Sequence, residues 1–291
     1  MVKAHYMIDG RDITESSQEY PYPTDAEAHE VIGGTDISFS GYTLKSAAAK
    51  MFNNREMRFY ANIGFSHGFW SGSSYTGTEA NQINQEITYY ANGNTTASSS
   101  YPDDYNHTGF TCKKYIHEED HLKGQMRPKV FPIMRYAEIL LNYAEALNEL
   151  EGSYTDSDGN TVTRDLEEIA KYFNMVRYRS GLPGISVGDP MVKDRDSLRE
   201  IIKRERQIEF FCEGKRYHDL RRWGDDAMKA YNKPVTGMNI KARSYERDKF
   251  YKETVITSKV AHRVFSHKMY FLPIPRGSMD KNAKLVQNPG W

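Results

Sequence analysis

Residues 133–151 (IMRYAEILLNYAEALNELE) form the stretch that decides the fold. Five of its residues recur at i, i+4, i+7, i+8 and i+11, and these are Tyr136, Leu140, Tyr143, Ala144 and Leu147. This spacing places them on one face of an amphipathic helix. Gly152 follows the pattern and is typical of a helix end. The sequence therefore predicts a helix over 133–151 that packs this face against a neighbour.

Three further helical patterns follow along the chain. A second helix is predicted over about 164–179, and Gly181 and Pro183 end it. A third is predicted over about 196–213, and a shorter fourth over 217–231. The apolar faces of the second and third helices are Leu166, Ile169, Ala170, Phe173 and Val176, and Leu198, Ile201, Ile202, Ile208 and Cys212. Two helix pairs in tandem predict a mainly α, tetratricopeptide-like stack.

The rest of the chain is poor in helix signals. Residues 64–110 are rich in Gly, Ser, Thr, Asn and Tyr, which predicts a long loop-rich insertion. Short strands are predicted at 58–63 (RFYANI) and 268–274 (KMYFLPI). We therefore expect a loop-rich, ligand-facing region with short strands, then tetratricopeptide-like repeats, then a tail that packs on the helices, all in one domain. The corresponding ranges are 1–132, 133–232 and 233–291.

Composition excludes several classes of protein. The chain of 291 residues has 39 basic and 39 acidic side chains, so it lacks the electrostatic footprint of a nucleic-acid-binding protein. No apolar run is long enough to span a membrane. Two cysteines do not make a disulfide scaffold, and Cys212 is interpreted as a small buried hydrophobe. The 21 tyrosines favour partly exposed recognition surfaces.

Four segments, in the same order along the chain, resemble the SusD/RagB family of nutrient-binding lipoproteins. They are 55–63 (REMRFYANI), 134–149 (MRYAEILLNYAEALNE), 174–181 with 201–223 (NMVRYRSG and IIKRERQIEFFCEGKRYHDLRRW), and 271–275 with 287–290 (FLPIP and QNPG). The first departs from the family's "D-P-R-F-Y-A" at Glu56 and Met57. Together the matches cover residues 55–291.

The resemblance implies a non-catalytic lipoprotein on the outer face of the bacterial outer membrane. Such a protein binds an oligosaccharide or polysaccharide and passes it to a SusC-like TonB-dependent transporter, with no cofactor and no catalytic residues. Family members are longer, and residues 1–13 resemble a mid-chain segment. We therefore expect that the N-terminal part, with its lipid-bearing cysteine, lies outside this sequence. The isolated chain is then expected to be poorly soluble, because repeats bury their apolar faces against neighbours.

Aromatic residues of the loop-rich part are the predicted glycan-binding site. Aromatic faces match the C–H face of a sugar ring, and amides or carboxylates match its hydroxyl groups. Trp70 is the first choice, because little apolar sequence surrounds it. The predicted ligand-binding residues are Phe69, Trp70, Tyr75, Asn81, Tyr101, Asp103 and Tyr105, with Gln82 and Asp104 as further polar partners. Each aromatic ring could instead anchor its own loop.

Three other patterns have a functional and a structural interpretation. Residues 117–121 (HEEDH) match the zinc-protease pattern but carry lysine neighbours and few apolar ones, so a solvated charge cluster is preferred. Residues 156–167 resemble a calcium loop, but Gly159 is misplaced for one, so a turn-rich connector is preferred and calcium stays open. Glu205, Glu209 and Glu213 are interpreted as arginine-paired structural groups.

Two alternative functions remain beside glycan binding. The helical repeat could be a peptide- or protein-binding scaffold. A carboxylate pair would instead make the chain a glycoside hydrolase, which release of reducing ends would reveal.

Overall fold

The structure is a computed structural model that describes residues 1–70, 85–95, 105–117, 119–120, 126–224, 226–258 and 261–291, with Trp70 and Gln85 described by backbone only. It is mainly helical with short strands, as the sequence predicted. The helices are α1 (Met57–Asn62), α2 (Tyr136–Glu149), α3 (Leu166–Arg179), α4 (Arg195–Glu209), α5 (Lys215–Arg222), α6 (Asp226–Tyr231), α7 (Arg247–Phe250) and α8 (Arg276–Lys281). None of these helices combines the length and apolar character needed to cross a membrane.

Helices α2, α3 and α4 pack together around one apolar core. The predicted face of α3 is confirmed, since Ile169, Ala170, Phe173 and Val176 are buried there. The predicted face of α2 is partly wrong, because Tyr136 and Tyr143 are 64% and 39% exposed. Because α2 contacts both α3 and α4, its buried face is wider and is centred elsewhere. That face consists of Ala137, Leu140, Leu141, Ala144 and Leu147.

Capping side chains define where α3 and α4 begin. The Asp165 side chain accepts hydrogen bonds from the backbone N–H groups of Glu167 and Glu168. Asp194 and Ser197 form a reciprocal capping box at the start of α4. These bonds satisfy N–H groups that have no partner within the helix, so each helix begins one residue after its cap.

The predicted third and fourth helices end earlier than expected. Helix α4 stops at Glu209, and Cys212 adopts a left-handed backbone (φ 59°) with an exposed side chain, so its predicted burial is wrong. The predicted helix over 217–231 is divided into α5 and α6, and Gly224 after α5 has φ 65°. A residue with positive φ cannot continue an α-helix, which explains both interruptions.

The connector between α2 and α3 is a β-hairpin. Strands β7 (Ser153–Thr155) and β8 (Thr161–Thr163) pair in antiparallel register. The Asp156 carboxylate accepts hydrogen bonds from the N–H groups of Asp158 and Asn160 inside the turn. The turn-rich connector is therefore confirmed, and Asp156 stabilises its turn.

The loop-rich part contains short antiparallel strand pairs around a core rich in aromatic rings. Phe52, Phe59 and Phe65 are fully buried there, and Phe250 and Tyr251 from the tail join them. The strand pairs are β1 (Ile37–Phe39) with β2 (Tyr42–Leu44), β3 (Ile63–Phe65) with β6 (Phe110–Cys112), β4 (Gly68–Trp70) with β5 (Gln85–Ile87), and β9 (Thr236–Gly237) with β10 (Thr254–Val255).

The strand predicted at 58–63 is wrong, because most of this segment forms helix α1. The core buries Phe59, Tyr60 and Ile63, while Ala61 is exposed. Burial at i, i+1 and i+4 is helical, whereas a strand would bury every second residue. The aromatic, strand-like composition of the segment concealed this pattern.

The strand predicted at 268–274 is also wrong. Residues 267–270 form a 3₁₀-helix, and no residue of 271–274 is in a strand. Side chains bind the backbone here instead of a partner strand. Trp291 Nε1 donates to the carbonyl groups of Lys268 and Phe271. The Gln287 side-chain amide accepts from the Ile274 N–H and donates to the Ile274 carbonyl.

Candidate functional site

A tight hairpin brings two aromatic residues to one edge of the loop-rich part. Ser40 and Gly41 both have positive φ, 46° and 75°, and connect β1 to β2. Two such residues in a two-residue loop are the mark of a type I′ turn. Phe39 and Tyr42 are therefore directly opposite each other in the register. The Tyr42 ring lies 5.0 Å from the Tyr60 ring, between centroids.

An open cavity of about 300 Å³ lies beside this hairpin. Tyr42, Tyr60 and Phe69 supply three aromatic walls, and the Phe69 ring meets Tyr42 edge to face at 5.5 Å. The Phe69 N–H donates a hydrogen bond to the Tyr42 hydroxyl, 3.2 Å away. The remaining lining residues are Ser40, Gly41, Met57, Ala61, Lys113 and Ile116.

The Lys113 side chain fixes one wall of the cavity. Its Nζ donates to the carbonyl oxygens of Tyr60 and Phe69, each 3.0 Å away. The same nitrogen lies 5.0 Å from the centre of the Tyr42 ring, within range of a cation–π interaction. Burial lowers the pKa of Lys113 to about 8. The cavity thus combines flat aromatic surfaces with one ammonium group.

The tyrosine hydroxyls of the cavity remain protonated at neutral pH. Burial raises the pKa of Tyr60 to about 12 and also raises the pKa of Tyr42. The Tyr60 hydroxyl donates to the Phe52 carbonyl, 2.6 Å away, so it points into the core. Tyr60 is 3% exposed and belongs to the aromatic core, so it supports the cavity wall, whereas the half-buried Tyr42 offers a ligand both a ring and a hydroxyl.

The structure describes only some of the predicted ligand-binding residues. Phe69 lines the cavity and is half-buried. Tyr105 is absent from the described cavity lining and packs on His107 instead, 4.4 Å between ring centres. Trp70 is described only by its backbone, which pairs with Gln85. Tyr75, Asn81, Gln82, Tyr101, Asp103 and Asp104 lie outside the described residues.

The sequence analysis missed Tyr42, Tyr60 and Lys113. The Ser-Gly turn between Phe39 and Tyr42 was a usable signal, because a positive-φ turn flanked by aromatics predicts a hairpin with paired rings. Nothing in the local sequence links Lys113 to that hairpin. Their contact depends on the pairing of β3 with β6, which is long-range.

A cluster of charged groups joins α4 to the ends of other helices. Glu209 is bound by Arg58, Arg135 and Arg179, at 3.1, 2.8 and 2.5 Å respectively. Burial alone would raise the pKa of Glu209. The three arginines lower this pKa by more than burial raises it, so the net shift is downward. An ionised carboxylate cannot act as a general acid. The structural interpretation of these glutamates therefore holds, although their partners lie outside the segment that carries them.

The predicted link between the third and fourth helices is present as well. Arg206 of α4 binds Asp219 of α5 through two hydrogen bonds of 3.0 and 2.9 Å. Trp223 Nε1 donates to the Glu145 carboxylate of α2, 2.7 Å away. These bonds hold α2, α4 and α5 together.

Residues 117–121 show no zinc-protease geometry in their described part. Asp120 accepts the backbone N–H groups of His117 and Arg127, each 2.9 Å away, and also binds Lys129. His117 Nδ1 is 3.0 Å from the Glu119 N–H and accepts from it. Across the described residues, no group of three His, Cys, Asp or Glu side chains is arranged to hold a metal ion.

Fold and cavity together define a mainly α chain with an aromatic-walled cavity in its irregular part. A model of the SusD family matches residues 1–291. The chain belongs to the SusD/RagB family, which confirms the resemblance found in the sequence. One protein of similar fold, from Bacteroides fragilis, is described as a SusD-like carbohydrate-binding protein.

Three similar proteins illustrate this relationship. SusD-like protein P2 of Formosa agariphila is 32% identical over 162 residues, which are 54% of this chain and 25% of that protein. A SusD-like protein of Bacteroides fragilis has a TM-score of 0.66 at 27% identity, over 100% of this chain and 46% of its own. A SusD-like carbohydrate-binding protein of the same strain has a TM-score of 0.59 at 20% identity, over 98% and 47%. The chain thus spans less than half the length of these relatives.

Proposed function

We propose that this chain binds a glycan non-catalytically, and that the cavity walled by Tyr42, Tyr60 and Phe69 is one contact surface. The observation that carries this proposal is the meeting of three aromatic rings at an open cavity. Sugar rings stack their C–H faces on such surfaces while their hydroxyl groups bond to polar groups at the rim. The Tyr42 hydroxyl supplies one such polar group.

The size of the cavity favours a short segment of a glycan chain. At about 300 Å³ it lies at the lower end of the range of small-molecule sites. Its open mouth suits a polymer that continues past the site. The predicted residues Trp70, Tyr75, Asn81, Tyr101, Asp103 and Tyr105 stay a prediction of where the rest of the glycan binds.

We further propose the cellular role that the family relationship supports. The protein would be lipid-anchored at the outer face of the outer membrane, with tetratricopeptide-like helix pairs as its frame. It would pass captured glycan to a SusC-like TonB-dependent transporter and need no cofactor. Co-purification of a large barrel protein from native membranes would test this partnership, and its consistent absence would contradict it.

Cavity variants test glycan binding directly. Phe69→Ala and Tyr42→Ala remove two aromatic walls, and each should lower retention on polysaccharide-containing affinity gels by about tenfold, which corresponds to about 1.4 kcal/mol. Tyr42→Phe keeps the ring and should retain most of the binding. Tyr154→Ala is the matched control, because Tyr154 is exposed on β7 in the helical part.

The melting temperature must be measured beside retention. If Phe69→Ala and Tyr42→Ala bind as well as the native chain and remain folded, the cavity is not a glycan site. Trp70→Ala tests the predicted loop site in the same gels. Loss of binding in Trp70→Ala alone would move the site to the loop aromatics.

A second candidate function is a protein- or peptide-binding scaffold. It is favoured by an exposed apolar run immediately before and within the start of α2: Val130, Phe131, Ile133, Met134 and Tyr136. Exposed apolar patches of this kind mark interaction surfaces. Screening against peptides and polysaccharides separates the two functions. If the scaffold function is correct, Ile133→Asp should abolish peptide binding and leave glycan retention unchanged.

A further inference from the structure

The two cysteines of the chain meet at the surface although they are far apart in sequence. The Sγ atoms of Cys112 and Cys212 are 3.1 Å apart, and 100 positions separate the two residues. Both are thiols with exposed side chains. The tertiary fold therefore creates a contact that the sequence did not predict.

Secondary structure fixes the backbone at Cys112. It is the last residue of β6 and lies opposite Ile63 of β3 in the antiparallel register. Ile63 is buried in the aromatic core of the loop-rich part. The next residue, Lys113, donates its N–H to the Asn62 carbonyl, 2.8 Å away. Cys112 is thus anchored in the loop-rich part.

The turn between α4 and α5 fixes Cys212. Phe210 is buried among the helices, and its N–H donates to the Arg206 carbonyl at 3.0 Å. The Glu213 N–H donates to the Phe210 carbonyl, also at 3.0 Å. Cys212 itself takes the left-handed conformation (φ 59°), and its Sγ lies 3.1 Å from that of Cys112.

An ion pair beside the sulfur atoms holds the two parts together. Lys114 Nζ binds the Glu213 carboxylate and donates to the Glu209 carbonyl, 3.2 Å away. Arg135 binds the same Glu213 carboxylate at 2.7 Å. Lys114 lies two residues after Cys112, and Glu213 directly follows Cys212. Their ion pair therefore keeps the two sulfur atoms close without a covalent bond.

We propose that Cys112 and Cys212 are a redox modification site that closes to an intramolecular disulfide by exchange with an external disulfide. One of the two cysteines attacks one sulfur of the oxidant as a thiolate, and the other sulfur leaves as a thiolate. The second cysteine then loses its proton and attacks the sulfur of the first, which expels the second external thiolate. Two protein thiols are oxidised, and one external disulfide is reduced to two thiols.

The environment makes closure depend on pH. Partial burial and the hydrogen bond with Cys112 raise the pKa of Cys212. Only a thiolate attacks a disulfide. Closure should therefore accelerate as the pH rises.

Intact-mass measurement tests the site on the full chain. The reduced protein is incubated with oxidised glutathione and quenched with acid. The native chain should lose two hydrogen atoms, retain no glutathione, show no reactive thiol and remain a monomer on a non-reducing gel. Cys112→Ser and Cys212→Ser are the matched controls, and each should end with one bound glutathione because the resolving thiol is absent.

Two outcomes would overturn the proposal. In the first, the native chain carries two bound glutathiones. In the second, the native chain keeps two reactive thiols under conditions in which both single variants have reacted. The ratio of glutathione to its disulfide at half-closure supplies a second measure. The effective concentration of the pair should be at least about 100-fold higher in the folded chain than in urea. Equal values would mean that the fold does not bring the sulfur atoms together.

Closure should also stabilise the chain. A cross-link over a loop of this length removes conformational freedom mainly from the unfolded state. The oxidised protein should therefore melt about 5 °C or more above the reduced protein. The site uses none of the cavity residues, so glycan binding and disulfide closure can fail independently.

Discussion

Replacement of Arg58 by methionine should destabilise the chain by about 3–5 kcal/mol, because it leaves buried carboxylates without their cation. Arg58 Nε donates to Glu56 at 2.7 Å, and its Nη1 donates to Glu205 at 2.7 Å and to Glu209 at 3.1 Å. The side chains of Glu56 and Glu205 are fully buried. Methionine keeps the apolar stem, so the change removes charge and hydrogen bonds more than packing.

The size of this destabilisation depends on which hydrogen-bond and ion-pair partners each carboxylate keeps in Arg58→Met. Glu209 keeps Arg135 and Arg179. Among the described residues, Glu205 keeps only Arg177 at 3.6 Å, and Glu56 keeps the Tyr6 N–H at 2.9 Å. Two buried carboxylates therefore lose their main partner, and each charged hydrogen bond contributes about 1.5–3 kcal/mol.

Urea denaturation followed by circular dichroism measures this loss. Arg199→Met is the matched control, because its pair with Glu149 is exposed and should cost less than about 1 kcal/mol. Burial raises the pKa of Glu56 even beside Arg58, and loss of Arg58 raises it further. Protonation of Glu56 then removes its unpaired charge in the variant. The difference in free energy of unfolding between the variant and the native chain should therefore shrink between pH 7 and pH 5. A cost equal to that of Arg199→Met would refute the reasoning.

Three further predictions follow from burial, charge and space. Glu209 has a lowered pKa, so its stabilisation is complete above about pH 5 and is lost as the pH falls through its folded pKa; Glu209→Gln should flatten the acid limb of a stability–pH curve. Phe173→Ala, in the fully buried core of α2, α3 and α4, should cost about 3–5 kcal/mol in urea denaturation, and a cost under about 1 kcal/mol would contradict that packing. Gly68→Ala places a Cβ 2.7 Å from the Phe65 carbonyl and should cost about 1–3 kcal/mol in thermal melts, whereas Gly277→Ala meets nothing within 4 Å and should be neutral or slightly stabilising.

The helices were predictable because their signal is local. The face of α3 follows from a spacing contained within the helix itself, and Asp165 marks its start. The orientation of α2 was less predictable, since a helix that packs against two neighbours buries more than one stripe. Tyr143 therefore lies at the edge of that interface and packs against Tyr172 instead.

The candidate site was predictable only in part. Phe69 was found because an aromatic ring in a loop-rich stretch suggests recognition. Tyr42 and Lys113 reach the same cavity through the β1–β2 hairpin and the β3–β6 pair. Sequence periodicity contains no information on which short strands pair, because register depends on long-range packing. The meeting of Cys112 and Cys212 was hidden for the same reason.

Helix α1 explains why the cavity and the charged cluster can exist side by side. In a strand, Arg58 and Tyr60 would project from the same face, which would place a guanidinium among the aromatic rings of the core. In the observed helix they point about 160° apart around the axis. Arg58 therefore binds the carboxylates of α4, while Tyr60 packs beside Tyr42 at the cavity. One helical segment thus fixes both the ion pairs that hold the helices and the aromatic wall that we propose binds glycan.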